Sequence, residues 1–561
     1  MTVSAASAWS IAFFGELYSL GLREVVVSPG SRSQALALAA THWERETSGD
    51  LRVSVVIDER SAAFRAIGIA AETGRPVVCV STSGSAPGHY LPAVMEAYHS
   101  GLPLVLVSAD RPEFERGIGS NQTTDQLGLY GIFADSESVN TSEVGKTKSA
   151  VKFARLIIDK SGFPPRPVHI NVAFREPLSG EIGPVGEVSK REPAEVKSRA
   201  LDSRTLEPGP HTLVIAGYGA GEEAEQTAVK IGAPLIAEAV SGARYGPHLV
   251  LDYESVLADS EFHAGIARVI TFGRPTLSRL VWSLLSDPRI EQFVVRGKAP
   301  ESPNPSGKAT ILDQLKVSRA ASRKELTEWV KPWVAKGRKS HAALIDKLLP
   351  AAPDLSVLRS DKFDRFRNFA DEEMRVQRRP ISRPDLALAV WEATWPHDRL
   401  VLGSSRMVRE VDRVVGPKKI SVHSTRGLSG IDGLVSFSRG VATGLSREGG
   451  IGVTRLILGD VSLLHDAGSL LQTPNETPSG RIQIFVANDG GGSIFDSLEV
   501  KSSARPDDFD RVLFTPHTVN LRSLAEAYGW EYMFAERAKD LADALSSNFH
   551  SVLVEIPLDR D

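Results

Sequence analysis

Two stretches of the sequence decide the fold: TRLILGDVSLLHDAGSLL at 454–471 and RIQIFVANDGGGSIF at 481–495. Each opens with a short apolar run and then changes to polar and glycine-rich sequence. Such a run is typical of a strand buried on both faces, as in a parallel sheet covered by helices. Asp460 therefore closes one predicted strand, and Asn488 closes the next.

The ends of these two strands would suit a cation and a diphosphate. In an open parallel sheet, the carboxyl ends of the strands form the crevice that binds ligands. The carboxylate of Asp460 and the amide oxygen of Asn488 are ligands of the kind that Mg²⁺ uses together with phosphate oxygens. Gly490, Gly491 and Gly492 would let the backbone approach an anion closely.

A purely structural interpretation of the same residues competes with this one. Asp460 can cap a helix, and NDGGG at 488–492 can be an ordinary turn. Either half alone leaves the choice open. Because both halves occur together and each closes a strand, they favour a diphosphate–metal site.

Short apolar runs alternate with helical patterns along most of the chain, which predicts an α/β fold of three doubly wound parallel-sheet domains. We expect α/β domains at 1–180, 205–310 and 378–561, with a charged helical connection at 311–377. A proline- and glycine-rich stretch around 176–210 predicts a linker. The apolar runs lie at 24–28, 53–57, 76–81, 103–108, 211–221, 233–239, 267–273, 291–297, 399–404, 419–424, 454–460, 481–489 and 551–559.

The turn GYGAG at 217–221 suggests a nucleotide site only weakly. The third glycine of a G-x-G-x-x-G pattern would fall on Glu222. A tight strand-to-helix turn is the better interpretation of this stretch.

Composition excludes several classes of protein. The chain has 561 residues, 42% of them hydrophobic and 24% charged, with a formal net charge of -4. Nothing here indicates a nucleic-acid surface. The single cysteine, Cys79, lies in an apolar run and is expected to be buried and inert. Without a basic segment before an apolar stretch, or a window of roughly 20 apolar residues, we expect a cytoplasmic protein with no membrane insertion.

Six further motifs occur in a characteristic order. Together they resemble the family of 2-succinyl-5-enolpyruvyl-6-hydroxy-3-cyclohexene-1-carboxylate synthases, thiamine-diphosphate-dependent enzymes of menaquinone biosynthesis. The Asp460–Asn488 pair similarly resembles the thiamine motif GDG followed one strand later by Asn, with Val461 in place of the last Gly. The motifs are SPGSRSQALALAA (28–40), DERSAAF (58–64), TSGSAPGHYLPAVMEA (82–97), SADRPEFERGIGSNQTTDQ (108–126), GSSRMVREVD (403–412) and STRGLSGIDG (424–433).

The resemblance implies a bound thiamine diphosphate with Mg²⁺ or Mn²⁺. Glu59, at the start of a predicted helix, would be the catalytic carboxylate that activates the cofactor through its aminopyrimidine. Taken alone, Glu59 is more simply part of an acidic first turn that the helix dipole favours. Asp460, Asn488 and the carbonyl of Gly490 would bind the metal. Cofactor contacts are implied for Glu59, Ser405, Ile431, Asp460, Ser462, Asn488, Gly490 and Gly491, with Ile431 as an apolar wedge.

The implied substrates, 2-oxoglutarate and isochorismate, each carry two carboxylates, which arginine side chains bind as forked pairs. The domain arrangement of the family implies a site across a subunit interface and thus a homodimer or homotetramer. The motifs place no histidine at the reacting centre, and His89 receives no role. The residues implied in substrate binding are Ser31, Arg32, Arg111, Gln122, Arg279, Ser405, Arg409 and Arg426.

Two alternatives remain at this stage. One is another thiamine-dependent carboligase or decarboxylase, which the arginine-rich loops disfavour if its substrates are small monocarboxylates. The other is a non-catalytic binding protein with the same fold. The joint presence of Glu59, Asp460 and Asn488 argues against it, because only cofactor activation needs all three.

Overall fold

A computed structural model describes residues 4–141, 165–178, 180, 201–209, 211–349, 363–474 and 480–560. Three larger sheets, each with purely parallel pairing, and one two-stranded sheet organise these residues. Helices pack against the sheets, so the predicted α/β class is confirmed. Among the described residues, no helix is long and apolar enough to cross a membrane.

The first sheet has six strands in the order β2-β1-β3-β4-β6-β5. Its central strands are completely buried because helices cover both faces, as their apolar sequences predict. The strands are β1 (Glu24–Val27), β2 (Arg52–Val55), β3 (Val77–Ser81), β4 (Leu104–Asp110), β5 (Asp135–Asn140) and β6 (Val168–Ala173). The α-helices are α1 (Ala5–Ser19), α2 (Gln34–Glu46), α3 (Glu59–Thr73) and α4 (Leu91–Ser100), and the 3-10 helices are Ala86–Tyr90, Glu113–Glu115 and Gly131–Phe133.

The middle sheet has five strands in the order β12-β11-β10-β8-β9, and a separate pair joins β13 to β7. The strands are β7 (Ser203–Leu206), β8 (Thr212–Ala216), β9 (Leu235–Ala237), β10 (Arg268–Phe272), β11 (Glu291–Val295), β12 (Thr310–Leu312) and β13 (Gln314–Val317). The helices are α5 (Glu222–Ile231), α6 (Tyr253–Ala258), α7 (Ser260–Ala264), α8 (Arg279–Leu285), α9 (Arg323–Glu325), a π-helix (Leu326–Val330), α10 (Lys331–Leu348) and α11 (Phe363–Gln377).

The third sheet has six strands in the order β15-β14-β16-β17-β19-β18. Its strands are β14 (Arg399–Leu402), β15 (Ser421–His423), β16 (Thr454–Gly459), β17 (Ile482–Asn488), β18 (Glu531–Phe534) and β19 (Ser551–Pro557). The α-helices are α12 (Arg383–Ala393), α13 (Arg406–Val414), α14 (Leu434–Arg447), α15 (Asp460–His465), α16 (Val500–Ser503), α17 (Pro506–Phe509), α18 (Leu521–Ala527) and α19 (Ala538–Ser546). Shorter turns are the 3-10 helices Ala467–Leu470 and Ser493–Ser497 and the π-helix Asp510–Phe514.

Each larger sheet and the helices described with it are called a unit: the first, the middle and the third. Helix α3 of the first unit packs along α14 of the third unit, with their backbones in direct contact. A Cβ atom on Gly68 would collide with the carbonyl of Phe437, and one on Gly440 with the carbonyl of Arg65. Glycine is therefore required on both sides of this crossing. The apolar core is continuous across it.

Two sequence predictions need correction. The stretch from 311 onward is not helical throughout, because β13 lies in it and pairs with β7. Leu315 and Val317 are buried in β13 while Gln314 and Lys316 are exposed, which is the alternation of a strand with one covered face. The predicted linker around 176–210 contains β7, although 179, 181–200 and 210 lie outside the described residues. The domain boundaries themselves remain predictions.

Two smaller predictions hold. GYGAG is a turn between β8 and α5, with Gly219 and Gly221 at positive φ. Cys79 is completely buried, and burial raises the pKa of its thiol.

Candidate active site

Asp460 begins α15 directly after β16, so the strand aims the carboxylate at the sheet edge. The residue is buried, and Oδ1 accepts a hydrogen bond from the N–H of Val461 at 2.8 Å. Burial and the nearby carboxylate of Asp489 raise the pKa of Asp460. A carboxylate crowded in this way gains most from a cation.

Asn488 ends β17, the strand next to β16. Its Nδ2 donates to Oε1 of Glu555 at 2.8 Å, and its Oδ1 accepts from the N–H of Gly490 at 3.1 Å. Glu555 lies on β19 and also accepts from the hydroxyl of Tyr532 at 2.6 Å. The amide is thus oriented with its oxygen toward the glycine loop.

His517 joins the two strand ends. Its Nε2 lies 2.9 Å from Oδ2 of Asp460, and its backbone N–H donates to the carbonyl of Gly490 at 3.2 Å. Because Nδ1 accepts from the N–H of Val519 at 3.3 Å, the ring proton of a neutral imidazole is on Nε2 and is donated to Asp460. No sequence motif predicted His517.

The glycine loop is shaped for a close approach. Gly490 has a φ of 78°, and a Cβ atom on Gly491 would lie 2.5 Å from the carbonyl of Phe514. Within the described residues, no group of three or more His, Cys, Asp or Glu side chains could hold a metal alone. A divalent ion here would need amide, carbonyl and phosphate oxygens, which is the mixture Mg²⁺ accepts.

A cavity of about 940 Å³ opens in front of these strand ends. It brings together Ser405, Ile431, Asp460, Ser462 and Gly491 with three of the predicted substrate arginines, Arg279, Arg409 and Arg426. Segments that follow four strands of the third sheet, β14, β15, β16 and β17, contribute all of these residues except Arg279. The arrangement is the crevice expected at the carboxyl edge of a parallel sheet.

The three arginines differ in their surroundings. Arg426 is buried, and burial lowers the pKa of its guanidinium. Arg409 is exposed on α13. Arg279 is largely solvent-exposed and pairs with Glu499 at 2.9 Å, so its orientation rests on a weak surface contact.

Asp489 forms a second ion pair in the wall of the cavity. Its Oδ2 accepts from Nη2 of Arg383 at 2.7 Å, and both side chains are almost completely buried. The hydroxyl of Ser493 also donates to this carboxylate. Arg383 therefore offsets the charge of the carboxylate that helps to raise the pKa of Asp460.

Glu59 lies outside this cavity, at the first position of α3. Asp58 caps the helix by accepting from the N–H of Ser61 at 3.2 Å. The pKa of Glu59 is raised, because the effect of burial is larger than the opposing effect of the nearby His89. A half-buried carboxylate with a raised pKa suits hydrogen bonding to a ring nitrogen.

The other predicted substrate residues lie in the first unit. The N–H of Arg32 donates to Thr82 at 3.3 Å, and burial together with the charge of Arg111 lowers the pKa of Arg32. Ser31 is exposed beside Arg32. Arg111 donates to Glu115 at 2.6 Å.

Gln122 has a backbone conformation that few residues other than glycine adopt. Its φ is 58°, in the left-handed region, and two reciprocal hydrogen bonds of 2.9 Å with Ser83 hold it there. Strain of this kind is frequent in ligand-binding loops.

The predicted site residues therefore form two groups within one chain. Asp460, Ser462 and Gly491 line the cavity, whereas Asn488 and Gly490 are adjacent in sequence to its lining residues but do not line it themselves. Glu59, Ser31, Arg32, Arg111 and Gln122 belong to the first unit. Among the residues that the structure describes, the cavity lining begins at Glu254 and includes none from the first sheet.

The chain is similar to known proteins along its whole length. Residues 10–129 match the family described as thiamine pyrophosphate enzyme, N-terminal TPP binding domain. A 2-succinyl-5-enolpyruvyl-6-hydroxy-3-cyclohexene-1-carboxylate synthase of Leifsonia xyli subsp. xyli is 43% identical, over 100% of this chain and 97% of the relative. One from Clavibacter michiganensis subsp. michiganensis is 41% identical over 98% and 96%.

The chain belongs to the family of 2-succinyl-5-enolpyruvyl-6-hydroxy-3-cyclohexene-1-carboxylate synthases. A similarly named protein of Thermobifida fusca is 36% identical over 97% of this chain and 94% of the relative. Membership confirms the resemblance carried by the six motifs, which span the first and third units.

The fold is also that of a more distant solved structure. Benzoylformate decarboxylase from Polynucleobacter necessarius superimposes with a TM-score of 0.63 over 100% of this chain and 99% of that chain. The sequences are only 14% identical, so this likeness concerns the fold alone. The synthase family thus shares an architecture with a protein of a different name.

Proposed function

We propose that the protein joins the four-carbon unit of 2-oxoglutarate, after loss of CO₂, to isochorismate, and so forms 2-succinyl-5-enolpyruvyl-6-hydroxy-3-cyclohexene-1-carboxylate for menaquinone biosynthesis. Family membership supports this reaction. The observation that carries the proposal is the cavity that joins the strand edge carrying Asp460 to the side chains of Arg279, Arg409 and Arg426. Such a cavity suits an anionic cofactor and anionic substrates together.

Thiamine diphosphate fits the residues present. Asp460, the amide oxygen of Asn488 and the carbonyl of Gly490 would hold Mg²⁺ or Mn²⁺, and the diphosphate would lie beside the glycine loop. Ser405, Ser462, Ile431 and Gly491 would line the rest of the cofactor's path. When bound, this cofactor supplies a carbanion equivalent for the decarboxylation and the new carbon–carbon bond.

The chain's own groups would handle charge and protons. Glu59 would hold a proton at its carboxyl oxygen against the cofactor's pyrimidine ring, for which a raised pKa is an advantage. Arg426 and Arg409 would bind substrate carboxylates at the cavity wall, and Arg279 would do so at its exposed rim. The first unit of a second copy would complete the substrate site with Ser31, Arg32, Arg111 and Gln122.

The separation of the two groups supports a homo-oligomer. Among the described residues that line the cavity, Glu59 is absent, because it lies on the first unit. A second copy that presents its first unit to the cavity would complete the site. We therefore propose a dimer as the smallest active species, or a tetramer built from such dimers.

The test is a product analysis. The protein is incubated with thiamine diphosphate, Mg²⁺ and 2-oxoglutarate, with and without isochorismate, and products are identified by mass spectrometry. The expected result is an adduct of isochorismate that contains four carbons of 2-oxoglutarate, together with CO₂.

Two comparisons make this test specific. Pyruvate replaces 2-oxoglutarate in a parallel reaction, and Asp460→Ala serves as the variant that has lost the metal site. A preference for pyruvate would contradict the proposed substrate, and unchanged activity of Asp460→Ala would contradict the assigned cofactor site.

A further inference from the structure

Arg426 is held in the cavity wall by a neighbouring loop of the middle unit. Its Nε donates to Oγ1 of Thr276 at 3.0 Å, and its Nη2 donates to the carbonyl of the same residue at 3.3 Å. Thr276 and Leu277 both line the cavity. The direction of the Arg426 guanidinium therefore depends on where this loop lies.

One buried carboxylate fixes the loop. Oε1 of Glu238 accepts hydrogen bonds from the N–H groups of Thr276 at 2.6 Å and Leu277 at 2.7 Å. Glu238 follows β9 and is 1% exposed. Its second oxygen, Oε2, is buried and has no hydrogen-bond partner in the described part of the chain.

We propose that Glu238 is a positioning residue for substrate anions: it fixes the backbone of Thr276 and Leu277, which in turn holds the guanidinium of Arg426 in the cavity wall. The substrate class rests on the proposed function. Glu238 does not line the cavity and would act only through the loop and Arg426.

The charge of Glu238 matters because Arg426 is close to it. Burial, followed by the charge of Asp412, raises the pKa of Glu238 to about 8. Near neutral pH the side chain is therefore an uncharged acid that still accepts both N–H groups. The positive charge of Arg426 is then left for a substrate carboxylate.

Other charged and titratable groups face Glu238. Asp412 on α13 accepts from the N–H of Ala239 at 2.6 Å and from the hydroxyl of Tyr253 at 2.5 Å. Arg244 pairs with Asp412 at 3.4 Å. Asp412 is therefore already engaged with Arg244 and Tyr253.

Ionisation above that pH would place a carboxylate beside Arg426 in competition with the substrate. The Michaelis constant for 2-oxoglutarate or isochorismate should therefore rise at high pH, while kcat changes much less. If Glu238 served only in packing, the Michaelis constant would not rise with pH while kcat stays nearly constant.

The experiment compares Glu238→Gln and Glu238→Ala with wild type in steady-state kinetics between about pH 6.5 and about pH 9.5. Glu238→Ala should raise the Michaelis constant of the anionic substrate about 10-fold at neutral pH and leave kcat within about 3-fold. Glu238→Gln keeps an uncharged acceptor, so it should stay near wild type at neutral pH and lose the rise at high pH.

Glu223→Gln is the matched control, because Glu223 is an exposed acid of the same unit on α5. An unchanged Michaelis constant in Glu238→Ala would overturn the proposal, as would a wild-type pH profile in Glu238→Gln.

Crystal structures of wild type and both variants give a readout that does not depend on activity. In Glu238→Ala the loop at 276–277 should shift and Arg426 should lose its contacts with Thr276, whereas Glu238→Gln should keep both. An unmoved loop in Glu238→Ala would refute the positioning role. Failure of wild type to use 2-oxoglutarate would instead refute the proposed function.

Discussion

The imidazole of His517 donates a hydrogen bond to the carboxylate of Asp460 at 2.9 Å, while the backbone N–H of His517 binds the carbonyl of Gly490. One residue thus fixes two of the three groups proposed to hold the metal. Groups that orient a metal ligand commonly change metal affinity by about 10- to 100-fold when they are removed.

We expect His517→Ala to weaken binding of thiamine diphosphate in the presence of Mg²⁺ by about 10-fold, because the carboxylate of Asp460 would lose its fixed orientation. Isothermal titration calorimetry measures the dissociation constant directly. His397→Ala removes a mostly exposed ring elsewhere in the same unit and should bind like wild type. Equal affinities for His517→Ala and His397→Ala would rule out the role of His517.

Glu59→Gln should bind the cofactor within several-fold of wild type but lose most of its turnover. The amide keeps the size of the side chain but cannot hold the proton that the pyrimidine ring must exchange. Exchange of the C2 proton of thiamine diphosphate, followed by NMR in deuterated buffer, checks this step without any substrate. Wild-type exchange in Glu59→Gln would show that another group does this work.

Arg426→Ala and Arg409→Ala should lower kcat/KM by roughly 30- to 1,000-fold with both dicarboxylates, since each removes a charge-assisted hydrogen bond in a partly desolvated cavity. Arg426→Lys should recover only part of that loss, because a single ammonium cannot replace a fork. Cofactor affinity should stay unchanged in all three variants. Variants that lose nothing with either dicarboxylate would contradict the substrate assignment.

The interface between the first and third units should be sensitive to Glu72. This buried carboxylate on α3 binds Arg399 at 2.7 Å and His423 at 2.9 Å. Burial alone would raise the pKa of Glu72, but its hydrogen bonds with His423 and Arg399 outweigh burial and lower it. Glu72→Gln should therefore lower the apparent unfolding temperature at neutral pH.

The sign of the pH dependence follows from that lowered pKa. The stabilisation by ionised Glu72 is complete above about 4.5, the ordinary value for glutamate, and is lost as the pH falls through the folded-state value. The difference in unfolding temperature between wild type and Glu72→Gln should shrink in acid. Differential scanning fluorimetry at several pH values measures it, and a constant difference would exclude the ion pair as its cause.

Most inner strands were predictable because burial on both faces leaves a continuous apolar run. The inner strand β6, with the sequence VHINVA, was not predicted, because His169 and Asn171 interrupt its apolar run although the strand is completely buried. The edge strand β5, with the sequence DSESVN, carries no such run and was not predicted. The pairing of β13 with β7 was not predicted either, because Gln314 and Ser203 are distant in sequence and local composition does not encode their contact. Tertiary contacts of this kind override local preference.

In the candidate site, too, some residues were predictable from sequence and others were not. Motifs predicted Asp460, Asn488, Arg32, Arg111, Arg409 and Arg426, because these residues follow strands in recognisable order. Arg279 lies in no such motif and was predicted from the family resemblance alone. The motifs did not predict His517 or Glu238, which lie in no such motif and reach the site only through the folded chain. Only three-dimensional contacts reveal residues that act on the site through a neighbour.

The glycine crossing of α3 and α14 has a consequence for chimaeras between members of this family. No side-chain layer separates the two backbones at Gly68 and Gly440, so a mismatch in helix angle cannot be absorbed by repacking. In a hybrid that takes its first unit from one parent and its third unit from another, the α3–α14 contact would not fit. Hybrids that take both α3 and α14 from the same parent should fold far more often than hybrids that take one of these helices from each parent.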